Sequence, residues 1–269
     1  MEPPMGDPTA LRPRGVGEIL TAAFQLYGRH WQNLITLVAV VVVPLSVIQY
    51  FLSDQLIRRG FENDTLTNGV TVTTTSAVGA LFAGLVVAII SIAIWGVLTS
   101  AITLAAVGTF LGRDMDIGAS YRFGLARFGS VLLVVFLMAL AIIGGFILLV
   151  IPGFIVLTRL SCAVPALVVE GKRGRSALSR SWNLVKGRGW PVFGTLIVAG
   201  IISSVVSALF TAPFPSSWVA HGLASAIASV ITMPFTTLVG IVIYLDLRVR
   251  KEQLDRATLE RDLAGSAGA

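Results

Sequence analysis

The sequence predicts an all-α fold, a polytopic transmembrane helical bundle of six spans with about three in-plane amphipathic cytoplasmic helices. Of its 269 residues, 55% are hydrophobic and 13% are charged, and the mean hydropathy is +0.85. Soluble domains carry about 25% charged residues, so this composition leaves too little polar surface to cover a particle in water. The apolar residues are also grouped into long runs between short basic segments, which is typical of membrane spans.

Six apolar runs are candidates to cross a hydrocarbon layer that is about 30 Å thick. Residues 15–250 are predicted to form one membrane domain, with spans at about 34–52, 77–111, 131–151, 154–169, 192–210 and 223–245. Residues 1–14 are predicted to be a disordered N-terminal tail and residues 251–269 a polar C-terminal tail. No early apolar segment with a cleavage site resembles a signal peptide, so we expect the first run to remain as a span.

The fourth run is short and contains Arg159, so its status depends on the distribution of charge. With six spans and a cytoplasmic N-terminus, 17 basic residues lie on the cytoplasmic side of the membrane and two, Arg58 and Arg59, lie on the outer side. Without the fourth span, everything after it changes side, which leaves 6 basic residues inside and 13 outside. Cytoplasmic loops carry the excess of lysine and arginine, so the sequence favours six spans with both termini in the cytoplasm.

Each outward-going span follows a segment with helical amphipathicity, at about residues 16–31, 117–128 and 175–186. Such helices can lie in the membrane interface with their basic residues toward lipid headgroups. The first and third segments also end alike, in Gly28-Arg-His-Trp31 and Gly187-Arg-Gly-Trp190, whereas the middle one offers only the pair Arg127-Phe128. We interpret the chain as three copies of one unit: in-plane helix, outward span and returning span.

Basic and aromatic residues indicate where the protein meets lipid. The net charge is +6, and the basic residues lie in short segments between the apolar runs. The sequence contains no nucleic-acid-binding module, so the predicted partners are membrane lipids with anionic headgroups on the cytoplasmic side. Tryptophan favours the headgroup zone. The predicted headgroup contacts are Lys172, Arg173, Arg175 and Arg180, and the predicted interfacial anchors are Trp31, Trp182, Trp190 and Trp218.

Arg159 is the one charge predicted to lie inside a span, about 10 Å from the outer boundary at 1.5 Å per residue. An unpaired arginine costs free energy at that depth, and no acidic residue lies in any predicted span. Its guanidinium must therefore reach the interface, bond to backbone carbonyls or a hydroxyl such as that of Thr158, or meet a lipid phosphate or another anion. The sequence leaves a structural role and an anion or lipid site both open.

Residues that could support catalysis are scarce. His30 and His221 are the only histidines, they fall on opposite sides of the membrane, and the single Cys162 is expected to be a small buried residue. No metal-ligand spacing and no glycine-rich phosphate loop is present. We therefore predict no catalytic residue, no metal and no cofactor, and we expect that the protein is not an enzyme.

Several stretches resemble a bacterial, actinobacterial-type family, the glycerophosphodiester phosphodiesterase membrane domain. They are Gly17-Glu-Ile-Leu20 with Leu26-Tyr27, Ile151-Pro-Gly153, Arg159–Pro165 with Glu170-Gly171, Ala177-Leu178 with Ser181–Val185, and Tyr244–Arg250. The resemblance covers about residues 15–255 and implies a multi-pass protein of the bacterial inner membrane. In the proteins that give this family its name, a catalytic domain follows the membrane region. Only 24 residues follow the sixth predicted span, so we expect a stand-alone membrane region.

Three functional hypotheses remain at this point. The first is a non-enzymatic envelope or lipid-associated membrane module of unassigned molecular activity. The second is a carrier or channel for a lipid-like or anionic solute that uses Arg159, and the third is an intramembrane enzyme. Polar residues converging with Arg159 on a central cavity would favour the second hypothesis, whereas a solidly packed interior with its polar residues at the edges would favour the first.

Overall fold

A computed structural model describes residues 8–60, 74–113, 117–214 and 218–268, and these residues form helices and no strand. The all-α class is confirmed. The helices are α1 (Val16–Gly60), α2 (Thr74–Phe110), α3 (Ile117–Ala126), α4 (Phe128–Leu148), α5 (Val150–Leu160), α6 (Ala163–Glu170), α7 (Arg175–Val185), α8 (Gly189–Thr211), α9 (Trp218–Glu252) and α10 (Arg256–Gly268).

Five helical segments in the described part of the chain are long and apolar enough to cross a membrane, so the chain is a membrane protein. They are Val87–Phe110, Phe128–Leu148, Val150–Glu170, Gly189–Thr211 and Ala220–Glu252. The predicted first span, 34–52, lies within α1, where the side chains of residues 47–60 fall outside the described residues. The count of six spans therefore stays a prediction.

The three predicted amphipathic segments are helical, and each meets the following helix at a similar joint. His30 interrupts α1 with φ −125° and ψ 19°, Arg127 separates α3 from α4 with φ −109° and ψ 17°, and Arg188 precedes α8 with φ −128° and ψ 24°. The backbone conformation is similar at the three joints, but His30 lies one position after Arg29, the residue that aligns with Arg188, so the interpretation of the chain as three copies of one unit stays a prediction.

The interior of the bundle is solidly packed around α9, which contacts α1, α2, α6, α7 and α8. Large apolar side chains from α1, α2 and α9 are fully buried there, among them Leu34, Leu37, Leu98, Ile102, Leu238, Ile241 and Leu247. Aliphatic side chains interlock at the density of organic crystals, which leaves little space along the axis of the bundle.

Helices α4 and α5 form a close hairpin in which only Leu149 departs from helical geometry. A Cβ atom built on Gly145 would lie 3.0 Å from the Cα atom of Gly153, and one built on Gly153 would lie 2.5 Å from the ring of Phe146. Only glycine allows the two backbones to approach so closely. The hairpin is therefore fixed by backbone contact at its tip.

The predicted fourth span is broken rather than continuous. α5 ends at Leu160, α6 begins at Ala163, and both helices fall within one membrane-crossing segment. The hydroxyl of Ser181 on α7 donates to the carbonyl of Arg159 (2.7 Å) and accepts from the N–H of Cys162 (3.1 Å). Freed backbone groups at membrane depth need such partners. Ser181 lies 22 positions after Arg159 and 19 after Cys162, so the sequence around the break does not reveal this partner.

The described parts of both predicted tails are ordered. Arg14 is 4% exposed, and its guanidinium donates to the carbonyls of Pro8 and Ala10 while its N–H donates to Asp246 (2.6 Å). At the other end, α10 packs on α6 and buries apolar side chains that the tail prediction did not use, Leu259 and Leu263. Contacts with the bundle, rather than local composition, order these segments.

Candidate lipid-binding groove

A buried ionic layer occupies one end of the bundle, where α6, α7, α9 and α10 meet. We define this ionic layer as Glu170, Arg180, Tyr244, Arg248, Glu252 and Asp262. At its centre, Arg248, 6% exposed at the side chain, forms ion pairs with Glu252 (2.9 Å) and Asp262 (2.8 Å) and lies 3.7 Å from Glu170. The Tyr244 hydroxyl donates to Glu170 (2.8 Å). Buried charges need such partners, so the layer has a structural role.

Arg180 was predicted to contact lipid headgroups, but it belongs to this ionic layer. Its Nε lies 2.7 Å from a Glu170 oxygen, and its Nη2 donates to Glu252 (2.8 Å). Hydrogen bonds with Glu252 and then with Glu170 raise the pKa of Arg180. Its charge is therefore directed into the protein and not toward lipid.

A groove on the periphery of the bundle lies between α5 and α8 and has a volume of about 730 Å³. Most of its lining is apolar or glycine, while Arg159 and Thr158 supply the polar side chains. The lining residues of this α5–α8 groove are Ile151, Phe154, Ile155, Thr158, Arg159, Gly187, Gly189, Trp190, Pro191 and Phe193. The volume lies within the range of sites that hold whole small molecules, and apolar walls with a few polar groups are typical of them.

Aromatic side chains shape the wall of the α5–α8 groove. The ring of Phe193 meets those of Phe154 and Trp190 edge to face, at centroid distances of 5.8 and 6.1 Å. Trp190 is 83% exposed. Gly187 in the α7–α8 connection also lines the groove and has φ +86°, in the left-handed region that favours glycine.

Arg159 lies at one end of this groove, beside α7. Its Nη1 donates to the carbonyl of Trp182 over a long 3.4 Å, and its guanidinium carbon lies 5.3 Å from the centroid of the Trp182 ring. Among the described residues Arg159 has no carboxylate partner. Of the three possibilities left open by the sequence, the structure places the side chain on a backbone carbonyl, toward the predicted cytoplasmic helix α7.

The other predicted headgroup contacts lie at the connection between α6 and α7. Lys172, Arg173 and Arg175 are exposed there, close to the start of α7. Of the predicted tryptophan anchors, Trp31 and Trp182 are 49% and 40% exposed, like the still more exposed Trp190 of the groove wall. The side chain of Trp218 lies outside the described residues.

Sequence reasoning missed Lys251, which fixes the end of α7 near Arg159. Its ammonium group donates to the carbonyls of Asn183 (2.9 Å) and Lys186 (2.6 Å), two groups that a helix terminus leaves without internal partners. Lysine near a helix C-terminus is a known signal for such bonds, but here it comes from another helix. Lys251 and Lys186 are 65 positions apart, so the sequence alone does not show that they are in contact.

The fold and the groove define an all-helical membrane protein with a lateral groove that combines apolar walls and one cation. Residues 33–247 match the family described as Domain of unknown function (DUF7847), and the chain belongs to this family. No curated protein and no solved structure matches the sequence. The resemblance to the glycerophosphodiester phosphodiesterase membrane domain stays a prediction, since the matched family carries no assigned activity.

Proposed function

We propose that this protein is a non-enzymatic, lipid-associated module of the bacterial cell membrane, with six spans and both termini in the cytoplasm. The observation that carries the proposal is the α5–α8 groove. It joins apolar and aromatic walls to Arg159, whose guanidinium is held only by a carbonyl and a tryptophan face among the described residues. This combination suits a molecule with an apolar chain and an anionic group, such as an anionic membrane lipid.

The physical fit follows from the two ends of the groove. An acyl chain would replace bilayer hydrocarbon against Ile151, Phe154 and Ile155 at little cost, because lipid tails and aliphatic side chains are equally apolar. A phosphate at Arg159 would add charge-assisted hydrogen bonds, which are stronger than the present long bond to a neutral carbonyl. The ligand is thus selected by its headgroup charge.

A carrier or channel for a lipid-like or anionic solute is the second candidate, favoured by the same cation at the groove. The packing of the interior weighs against it. The buried core between α1, α2 and α9 consists mostly of apolar side chains, and Arg159 lies at the periphery rather than on a central path. A lateral groove supports holding a lipid more directly than moving one across.

The test is native mass spectrometry of the full chain in nanodiscs that contain phosphatidylglycerol and phosphatidylcholine. Arg159→Leu should retain about fivefold less phosphatidylglycerol than the wild type, since one charge near a membrane surface contributes about 1 kcal/mol. Arg122→Leu removes an exposed arginine on α3, away from the groove, and should change little. A second arm neutralises Lys172, Arg173 and Arg175 together and leaves Arg180 intact.

The two arms separate the groove from general surface charge. Loss of phosphatidylglycerol in Arg159→Leu, with thermal stability preserved, supports the groove. Loss only in the triple variant places lipid association at the α6–α7 connection and overturns the groove as its site. Unchanged lipid in both variants overturns the proposal. Transfer of labelled lipid between vesicles, abolished by Arg159→Leu, would instead identify a carrier.

A further inference from the structure

A second, smaller cavity lies on the other side of the first turn of α8 and has a volume of about 220 Å³. It is separate from the α5–α8 groove and shares only Pro191 with it. We call it the arginine cavity, lined by Arg14, Gly15, Val16, Ile19, Arg188, Pro191, Val192, Thr195, Ile243, Asp246, Leu247 and Arg250. None of these residues is among the site residues that the sequence predicts.

The charge of the arginine cavity is strongly positive. Three arginines, Arg14, Arg188 and Arg250, line it together with one acidic residue, Asp246. The difference is a formal charge of +2 at a site walled by aliphatic side chains, where low polarisability strengthens electrostatic attraction. Such a site attracts anions.

The single carboxylate is already engaged by its neighbours. Asp246 lies 2.9 Å from the Nε of Arg250 and accepts the N–H of Arg14 at 2.6 Å. The Nη2 of Arg250 donates to the carbonyl of Arg14 (2.8 Å), while its Nη1 makes no hydrogen bond within the described residues. These contacts hold Arg250 in place and leave one of its donor groups available.

Arg188 is the arginine of the cavity whose guanidinium has no partner among the described residues. Its side chain is exposed at the joint before α8, and it forms no hydrogen bond or ion pair with the described residues. Helix α1 also begins at this cavity, at Val16. Its N-terminal dipole favours negative charge, which adds to the attraction of the arginines.

We infer that the arginine cavity binds a phosphate-bearing group, held by Arg188 and Arg250. Guanidinium groups match the oxygens of phosphate with paired hydrogen bonds. The cavity is far larger than one water molecule needs and smaller than the usual range for whole drug-sized ligands, so it suits a phosphate with little attached to it inside. The phosphate comes either from a lipid headgroup at the membrane surface or from the surrounding solution.

The test compares Arg188→Gln with Arg29→Gln in the purified full chain. Arg29 is a matched control because it occupies the corresponding position in the first repeat unit, is also exposed, and does not line the cavity. Inorganic phosphate is titrated calorimetrically in a neutral maltoside detergent, and retained phosphatidylglycerol is measured in nanodiscs. Arg188→Gln should weaken one or both by about tenfold or more, as the loss of a hydrogen bond between charged groups predicts.

The outcomes identify the source of the phosphate or overturn the inference. A selective loss of inorganic phosphate in Arg188→Gln identifies a soluble phosphate as the ligand, and a selective loss of phosphatidylglycerol identifies a headgroup. Equal losses in Arg29→Gln, or no loss in Arg188→Gln with either probe, overturn the inference. Arg159→Leu should leave phosphate binding unchanged, so failure of the α5–α8 groove and failure of the arginine cavity are distinguishable.

Discussion

Arg248 in the ionic layer and Arg159 in the α5–α8 groove differ in their surroundings. Arg248 has Glu252, Asp262 and Glu170 within 3.7 Å and accepts no further ligand without losing one of them. Arg159 has a carbonyl at 3.4 Å and an indole ring. A buried cation with carboxylates holds helices together, whereas a partly exposed cation without a carboxylate partner retains most of its capacity to bind an anion.

Replacing the central cation of the ionic layer should have the largest effect on stability. Arg248→Met leaves three carboxylates and Tyr244 without their shared partner, and breaking a buried ion pair from one side costs about 3–5 kcal/mol. Thermal unfolding in detergent measures the loss.

The matched substitution in the α5–α8 groove should cost much less stability. Arg159→Met removes a long hydrogen bond and a partly exposed contact with Trp182, worth about 0.5–1 kcal/mol. Arg261→Met, on the exposed face of α10, controls for the loss of one positive charge. Equal destabilisation by the substitutions at 248 and 159 would show that both arginines are structural.

An intermediate effect, smaller than that at Arg248 and larger than that at Arg159, is expected at Ser181, which bonds both sides of the α5–α6 break. Ser181→Ala leaves the N–H of Cys162 and the carbonyl of Arg159 without their shared partner, at a cost of about 1–3 kcal/mol. Ser179→Ala, exposed on the same helix, is the control. Similar unfolding midpoints for the two variants would mean that the break satisfies its backbone groups in another way.

The smallest effect is a pH dependence at the start of α10, the helix that covers the ionic layer. The Oδ1 of Asp255 accepts the N–H of Thr258 (2.8 Å), and hydrogen bonds from the side chain and then the backbone of Thr258 lower the pKa of Asp255. A lowered folded pKa means that this contribution is present above the unfolded pKa of about 3.9 and is lost as pH falls through the folded value.

Hydrogen exchange of the α10 amides, corrected for the intrinsic pH effect, measures this loss. Protection should fall on acidification in the wild type, and Asp255→Ala should show low protection without the same step. Glu260→Gln on the exposed side of α10 should behave as the wild type. An identical acid response in the Asp255 variant would assign the effect to the ionic layer instead.

Helices α8 and α9 are similar in hydropathy but differ in how much of each the protein buries. Their membrane-crossing segments have nearly equal mean hydropathy, 2.2 and 2.1, but 17% of the α8 window is buried and 56% of the α9 window is. Lipid tails and a protein interior are about equally apolar, so composition predicts that both helices leave water and does not predict which one the protein covers.

The basic residues of the candidate site also differ in how easily the sequence reveals them. Arg159 was identified because a charge in an apolar run is conspicuous, whereas Lys251 and Arg188 sit in segments where basic residues are expected. Arg180 was assigned to lipid for the same reason, although the nearby Glu170 is its partner. Charge pairing across helices depends on their packing, which spacing along the chain does not reveal.

The sequence alone predicts the all-helical membrane class and the positions of the apolar segments. These properties depend on neighbouring residues, because hydropathy and helical periodicity are local. Packing between distant segments sets the break between α5 and α6, the docking of α10 and the division of cations between the ionic layer and the α5–α8 groove. Each of these depends on a partner far away in the chain, such as Ser181 for Cys162 or Asp262 for Arg248.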